Sequence, residues 1–342
     1  LEYDKNGRAT TAVQKNGGVL ATAYDKAGRV ISETDANKHT TRYRYGKTGL
    51  VSEITDALGQ KALFEYDALG NVTKITAPGN AVTQYAYDIS GRLTTQTDAT
   101  GLVTEYGYDE NSQLISVVTN GNESLYEYDA MGNVSSVTDA EGRCVKLSYD
   151  LNGNLTEIIY PDGTKDVTEY DALGRVVQST PRTGLATAYA YDESGNVVRM
   201  TQGEQTTAYE YDLLGRMVRQ IAADGTETAY AYDALGNLVG QTDELGNQTT
   251  FSYTAESLLE QVTYANGASQ SLSYDLAGNI IGETDAEGNA KQYQYDKANR
   301  LIAVVDELGG KTSYAYDAMD HIVQVTDALR HATKYTYDKD GN

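Results

Sequence analysis

Tryptophan is absent from this 342-residue chain, phenylalanine and proline occur two and three times, and there is a single cysteine. Cys144 has no partner for an internal disulfide. With only His39, His321 and His331 beside it, the sequence offers no metal-ligand spacing. Cys144 therefore reads as a small core residue. Basic residues are also scarce: 27 Lys and Arg face 49 Asp and Glu, a net charge of −22. Nucleic acid, heparin-like polymers and anionic lipid all require basic patches, so none of them is an expected partner. No apolar run approaches the roughly 18–20 residues of a membrane span. A basic-then-apolar leader is likewise not found. Leu, Ile, Val and Phe number 65 of 342, and by composition alone so low a share with so much charge would imply disorder. The 29 tyrosines and their strict spacing argue for order instead, because they supply buried area that this rule ignores.

Seventeen of those tyrosines keep a schedule, from Tyr3, Tyr24 and Tyr45 through Tyr108, Tyr149, Tyr191, Tyr253 and Tyr274 to Tyr295, Tyr316 and Tyr337. Fourteen of the sixteen intervals are 21 residues and two are 20, and in fifteen units aspartate follows. A fixed period of this length signals a repeat architecture. The motif positions used below are Tyr24, Asp25 and Gly28; Tyr66, Asp67 and Gly70; Tyr87, Asp88 and Gly91; and Tyr128, Asp129 and Gly132. They continue with Tyr170, Asp171 and Gly174; Tyr211, Asp212 and Gly215; and Tyr232, Asp233 and Gly236. Their expected role is structural.

Within Gln84–Thr104, Tyr85 and Tyr87 are two apart, so on a strand both rings share a face. Asp88-Ile89-Ser90-Gly91 reads as a type I turn closed by a left-handed residue, the common hairpin with a G1 bulge. Glycine fills that fourth position in thirteen of seventeen units; Ser112, Ser257, Asn299 and Asp320 are the exceptions. Two residues later comes an apolar side chain, such as Val30, Val72, Leu93, Leu155, Met217, Ile280 or Ile322, which starts the return strand. Tyrosine should then face an aliphatic neighbour, a pair worth roughly 0.2–1 kcal/mol.

The second turn of each unit varies: Thr-Asp-Ala-Leu-Gly at 55–59, Ala-Pro-Gly-Asn at 77–80, Asn-Gly-Asn at 120–122, Tyr-Pro-Asp-Gly at 160–163 and Gln-Gly-Glu at 202–204. Both 20-residue intervals coincide with shortened turns. One rim of the sheet is uniform and the other variable.

Two strands per unit give roughly 33 strands at ~4.8 Å, a sheet on the order of 160 Å wide. Flat sheets of that width do not occur, and no helical pattern is available to cover a face. The expected fold is all-β: tandem antiparallel hairpins of about 21 residues over 1–342 as a single array, in one long, strongly curved sheet, part of a hollow spiral shell. The chain opens at Leu1 and stops at Asp340-Gly341-Asn342, in mid-repeat at both ends, and is expected to be an excerpt from a longer protein. Bare strand edges would then invite edge-to-edge self-association.

Tyr85-Ala86-Tyr87-Asp88-Ile89-Ser90-Gly91-Arg92-Leu93 and Tyr209-Glu210-Tyr211-Asp212-Leu213-Leu214-Gly215-Arg216-Met217 resemble the YD repeat of the Rhs family. That family includes bacterial Rhs polymorphic toxins, Tc toxin B and C components, wall-associated repeat proteins and teneurins. The resemblance covers the whole chain. It implies an exported or cell-surface bacterial protein whose repeats wind into a cocoon around its own C-terminal toxin or effector domain, adjoining further shell segments. Family members close the shell with a core rich in Asp-Pro motifs that carries autoproteolytic aspartates. None of Pro78, Pro161 and Pro181 follows an aspartate, so no protease site is transferred.

Chemistry of other kinds finds little support. The repeated aspartates sit where a turn needs an acceptor, no nucleophile-elbow serine or phosphate-binding glycine spacing occurs, and no constellation is singular. Asn71-Val72-Thr73 and Asn133-Val134-Ser135 match glycosylation acceptors but arise from the repeat itself. Tyr45-Gly46 and Tyr253-Thr254, which lack the aspartate, are expected to mark local distortions. The leading expectation is a non-enzymatic shell segment without cofactor or metal. The alternative is an adhesin-like module that recognises glycans or a surface protein through the variable turns or tyrosine ladders.

Overall fold

A computed structural model describes residues 1–338 and 341–342; Asp340 of the terminal Asp340-Gly341-Asn342 lies outside the described residues. The all-β expectation is borne out. Among the described residues, thirty-three short strands run from Glu2–Tyr3 to Ala332–Lys334, and the single helical element is a 3₁₀ turn at Pro78–Asn80. The chain forms two compact units: residues 1–102 with 249–342, and residues 103–248. Within each, consecutive strands pair antiparallel.

The Val82–Tyr87 and Leu93–Thr97 strands show how one hairpin is built. Leu93 pairs with Tyr87, and Thr95 with Ala86, so Thr94 is an extra residue on the return strand. The same shift beside the motif tyrosine recurs at Tyr45, Tyr128, Tyr211 and Tyr295. A bulge interrupts the ladder and leaves polar groups to satisfy. The Thr94 hydroxyl fills this one by donating to the Ala86 carbonyl at 3.1 Å, and Thr156 does the same for Ser148 at 3.0 Å.

The two 20-residue intervals keep register by an exchange. Ordinary variable-rim loops span five residues, as between Thr55 and its partner Lys61. Between Thr119 and its partner Asn122 only Asn120 and Gly121 remain, with φ of 51° and 77°. Both central residues are left-handed, which is the type I′ pattern. The flanking strands Leu114–Thr119 and Asn122–Tyr128 are each one residue longer than their counterparts Val134–Thr138 and Cys144–Tyr149. Three loop residues are lost and two strand residues gained, which removes one residue without moving any tyrosine off its face. Gln202 and Gln205 bracket the second short loop, where Gly203 takes φ 58° at the first central position of a type II′ turn.

Burial is shallow throughout. Ala36 and Ala303 are the buried apolar side chains among the described residues. The accessible surface is 21119 Å², against about 13600 Å² for a compact protein of this mass. Cys144, expected in a core, is half-buried at a strand start. Stability must instead come from contacts between neighbouring hairpins.

Candidate functional site

The uniform rim carries the densest polar network. In each YD turn the backbone closes twice: Asp25 N–H donates to the Arg29 carbonyl at 2.9 Å and Gly28 N–H to the Asp25 carbonyl at 3.1 Å. Gly28, Gly70, Gly91, Gly132, Gly174, Gly215 and Gly236 all have φ between 76° and 92°. Ser112, Ser257, Asn299 and Asp320 take the same left-handed conformation at 61° to 67°. The aspartate organises the rest. Asp67 Oδ1 accepts from the N–H groups of Leu69 and Asn71, both at 2.9 Å, while Oδ2 takes the Asn71 amide at 2.9 Å. Asp88, Asp129, Asp171, Asp212 and Asp233 accept in the same way. The Asn71 amide thus holds the Asp67 carboxyl below the usual carboxylate range, and the Arg216 guanidinium does so for Asp212. Asn71 and Asn133, which match glycosylation acceptors, are tied into these turns.

The two units without aspartate keep the turn undistorted, which corrects the expectation. Gly46 N–H reaches the Leu50 carbonyl at 2.8 Å, and Thr254 Oγ1 accepts from Glu256 and Leu258 at 3.3 and 3.2 Å. The backbone pair needs no side chain, and a threonine hydroxyl is a sufficient acceptor.

Thirteen of the motif tyrosines, among them those described next, reach into the preceding hairpin. The hydroxyl donates to the carbonyl of the apolar residue that opens the previous return strand: Tyr24 to Ala9 at 3.0 Å, Tyr66 to Val51 at 2.7 Å, Tyr128 to Leu114 at 2.7 Å, and Tyr170 to Leu155 at 2.8 Å. Tyr87, Tyr211 and Tyr232 each do the same at 2.9 Å. Sequence reasoning placed the ring but not the hydroxyl; the apolar residue fifteen positions earlier, or fourteen across the two shortened units, was the available signal.

A second clip comes from the residue after the turn glycine. Arg216 pairs with Asp212 at 2.7 Å, lies over the Tyr232 ring at 4.8 Å and donates to the Asp233 carbonyl at 3.0 Å. Arg8, Arg175 and Arg300 bridge successive turns in the same way. Such a stacked cation is worth about 0.5–1 kcal/mol at an exposed site. Where asparagine replaces arginine, as at Asn71, the amide serves its own turn. His321 takes this place once, 3.1 Å from Asp317 and stacked on Tyr337 with ring centroids 4.7 Å apart.

The variable rim meets the uniform one inside the first unit. Asn37 Nδ2 donates to Asp275 Oδ2 at 2.9 Å across 238 residues of sequence, and Asn299 Nδ2 to Asp35 Oδ2 at 3.4 Å across 264. Asn16 donates its amide to the Leu276 carbonyl at 3.3 Å and its backbone N–H to Glu256. The turn at 35–39 therefore sits between the YD turns at 275–279 and 296–300. Burial opposes ionisation of Asp275, but the Asn279 and Asn37 amides outweigh it and its carboxyl stays below the ordinary range.

A hollow of about 450 Å³ at this contact is lined by Glu33, Asp35, His39, Asp56 and Lys297, among others. His39 Nδ1 lies 3.3 Å from Asp35 without hydrogen-bond geometry. No group of three or more His, Cys, Asp or Glu among the described residues is arranged to hold a metal ion. No described helix is long and apolar enough to cross a membrane.

Hairpins that bond to their neighbours through tyrosine, aspartate and arginine define a tandem β-hairpin repeat protein. The RHS repeat model matches residues 24–61, 66–103, 90–124, 108–143, 128–165, 170–207, 232–269, 274–309 and 295–332, so the chain belongs to the RHS repeat family. The whole chain superposes on 23% of the crystal structure of TcdB2-TccC3-TEV, with a TM-score of 0.81 and 16% identity. In the crystal structure of TcdB2-TccC3, 99% of the chain matches 21% of that chain, with a TM-score of 0.63 and 17% identity. The chain thus spans under a quarter of the solved structures it resembles, and at such identity the likeness establishes the fold. No curated protein matches the chain.

Proposed function

We propose that this chain is a wall segment of an exported bacterial Rhs-type protein, and that together with adjoining shell segments it encloses a C-terminal toxin or effector domain. The observation that carries the reading is the fold likeness over the whole chain to TcdB2-TccC3-TEV. Two features of the rims support it. The repeated aspartates close their own turns while tyrosine hydroxyls and arginines tie one hairpin to the next, and the seven triads from Tyr24-Asp25-Gly28 to Tyr232-Asp233-Gly236 act in wall construction. The rim contact between residues 14–39 and 254–299 joins two stretches of wall edge to edge.

The test is limited proteolysis of the full-length parent protein. An intact wall should leave the C-terminal segment uncut while exposed loops are cleaved, and a double variant Asn37→Asp with Asn299→Asp should shorten its survival at least tenfold. Immediate digestion of the C-terminal segment in the native protein would contradict enclosure. The motif-tyrosine hydroxyls described above donate to backbone carbonyls, which leaves ring faces as the part of a ladder that could meet a sugar.

A further inference from the structure

Asparagine precedes glycine five times, at Asn6, Asn16, Asn120, Asn152 and Asn266. The pair is chemically labile, because a glycine nitrogen has no neighbouring Cβ to hinder its approach to the asparagine side chain. Among the described residues, only Asn16 of the five is bonded across the rim contact of the first unit. Its side-chain amide donates to the Leu276 carbonyl at 3.3 Å and its backbone N–H to Glu256, 260 and 240 residues away. Asn266 is its match on the same rim, and both are exposed. Gly17 N–H donates to the Gln14 carbonyl at 3.1 Å, and Gly267 N–H to the Tyr264 carbonyl at 2.9 Å. Asn16 Oδ1 accepts from Gly18 N–H at 2.8 Å, and Asn266 Oδ1 from Ala268 N–H at 3.0 Å. A Cβ at Gly17 or Gly267 would meet nothing within 4 Å. The two turns are alike, and what separates them is the pair of bonds from Asn16 across the contact.

From this we infer that Asn16 is a self-modification site, a one-way latch on the contact between residues 14–39 and 254–299. The Gly17 nitrogen attacks Asn16 Cγ. The Cγ–Nδ2 bond breaks, and the amide nitrogen leaves as ammonia with the proton that Gly17 gives up. Water then opens the five-membered imide at either carbonyl, which leaves aspartate or isoaspartate at position 16. While the contact is closed the step is slow: the Asn16 amide must release Leu276 and Gly18, and Gly17 must release Gln14, before Cγ and nitrogen meet. Local opening removes the first of these restraints. The product then resists reclosure. Its carboxylate sets an acceptor against the Leu276 carbonyl and adds a negative charge beside Glu256. Isoaspartate also lengthens the backbone at the N–H that Glu256 holds. Deamidation thus converts a reversible opening into a permanent one.

Peptide mass spectrometry of the whole chain, kept folded in mildly alkaline buffer, tests this by timing the amide-to-acid exchange at each site. Asn16 should react about tenfold more slowly than Asn266, the protection given by a local closure that rests on two hydrogen bonds, and the two rates should converge in denaturant. Asn37→Asp with Asn299→Asp loosens the contact elsewhere and should bring Asn16 up to the rate of Asn266 without changing Asn266. Asn16→Asp, which is the product itself, should quicken hydrogen exchange in the turn at 35–39, whereas Asn266→Asp should not. Circular dichroism of each variant checks that the strands remain. Equal rates at Asn16 and Asn266 in the folded chain would overturn the inference. So would an Asn16 rate unmoved by the double variant, or exchange at 35–39 unchanged by Asn16→Asp.

Discussion

Tyr87 Oη lies 2.9 Å from the carbonyl oxygen of Val72, which opens the return strand of the hairpin before it. Val72 is itself the cross-strand partner of Tyr66. The side chain of one hairpin thus fixes the backbone of the last at the point where that backbone leaves its turn. Lateral cohesion runs through this bond, repeated from Tyr24 to Tyr337.

Tyr170→Phe removes the donor to Leu155 and keeps the ring. The loss should be about 1 kcal/mol, that of a single neutral hydrogen bond. Hydrogen exchange should quicken in residues 150–180 and stay unchanged beyond the adjoining hairpins, since each repeat contacts its neighbours. Uniform acceleration across the chain would contradict this locality.

Gly91 has φ 79°. Gly91→Val forces a β-branched residue into that region and should cost about 1–3 kcal/mol. Gly91→Asn should cost less, because Asn299 holds the equivalent place at φ 61°. Exchange rates of the Asp88 and Arg92 amides report the difference.

The turn carboxylates set the acid limit. The Asn133 amide and then its backbone N–H hold the Asp129 carboxyl low, and the Arg216 guanidinium and then its backbone N–H hold Asp212 low. A carboxylate depressed in the folded state stabilises above its unfolded pKa of about 3.9, and that stabilisation is lost as pH falls through the folded value. Near-UV tyrosine dichroism should therefore hold steady from about pH 7 to 5 and decay below about 4. Asp212→Asn should make the local decay shallower.

Two tyrosines set a basic limit. The Glu33 carboxylate accepts from Tyr43 at 2.6 Å and, aided by burial, pushes its hydroxyl up to about 12. Glu283 does the same for Tyr293. Unfolded tyrosine ionises near 10, so the folded state loses this stabilisation as pH rises from about 10 to 12. Absorbance titration at the phenolate band should show late-titrating tyrosines, and Glu33→Gln should bring one of them down.

The parts of the fold set by a fixed offset were legible in the sequence. Tyr87, Asp88, Gly91 and Leu93 lie within seven residues, and their strand, turn and cross-strand partner follow from φ preference and the two-residue alternation. Membership in the RHS repeat family was legible for the same reason. The bond from Tyr87 to Val72 was hidden because a ring's place in a strand does not say which carbonyl its hydroxyl meets. The bridge from Arg216 to Tyr232 needed the curvature between turns. Asn37 and Asp275 were beyond reach: their meeting depends on small rotations summed over many hairpins, and no local pattern encodes that sum.

Because the turn at 35–39 seats between two YD turns that are copies of each other, the rim contact behaves like a pinion on a rack whose teeth are 21 residues apart. Deleting or duplicating one whole hairpin between the two stretches slides the contact by one tooth into a chemically equivalent gap. Loss of a fraction of a hairpin leaves tooth on tooth. Whole-repeat gains and losses are therefore the tolerated changes of length, because each returns the same tooth to an equivalent gap without rewriting any unit.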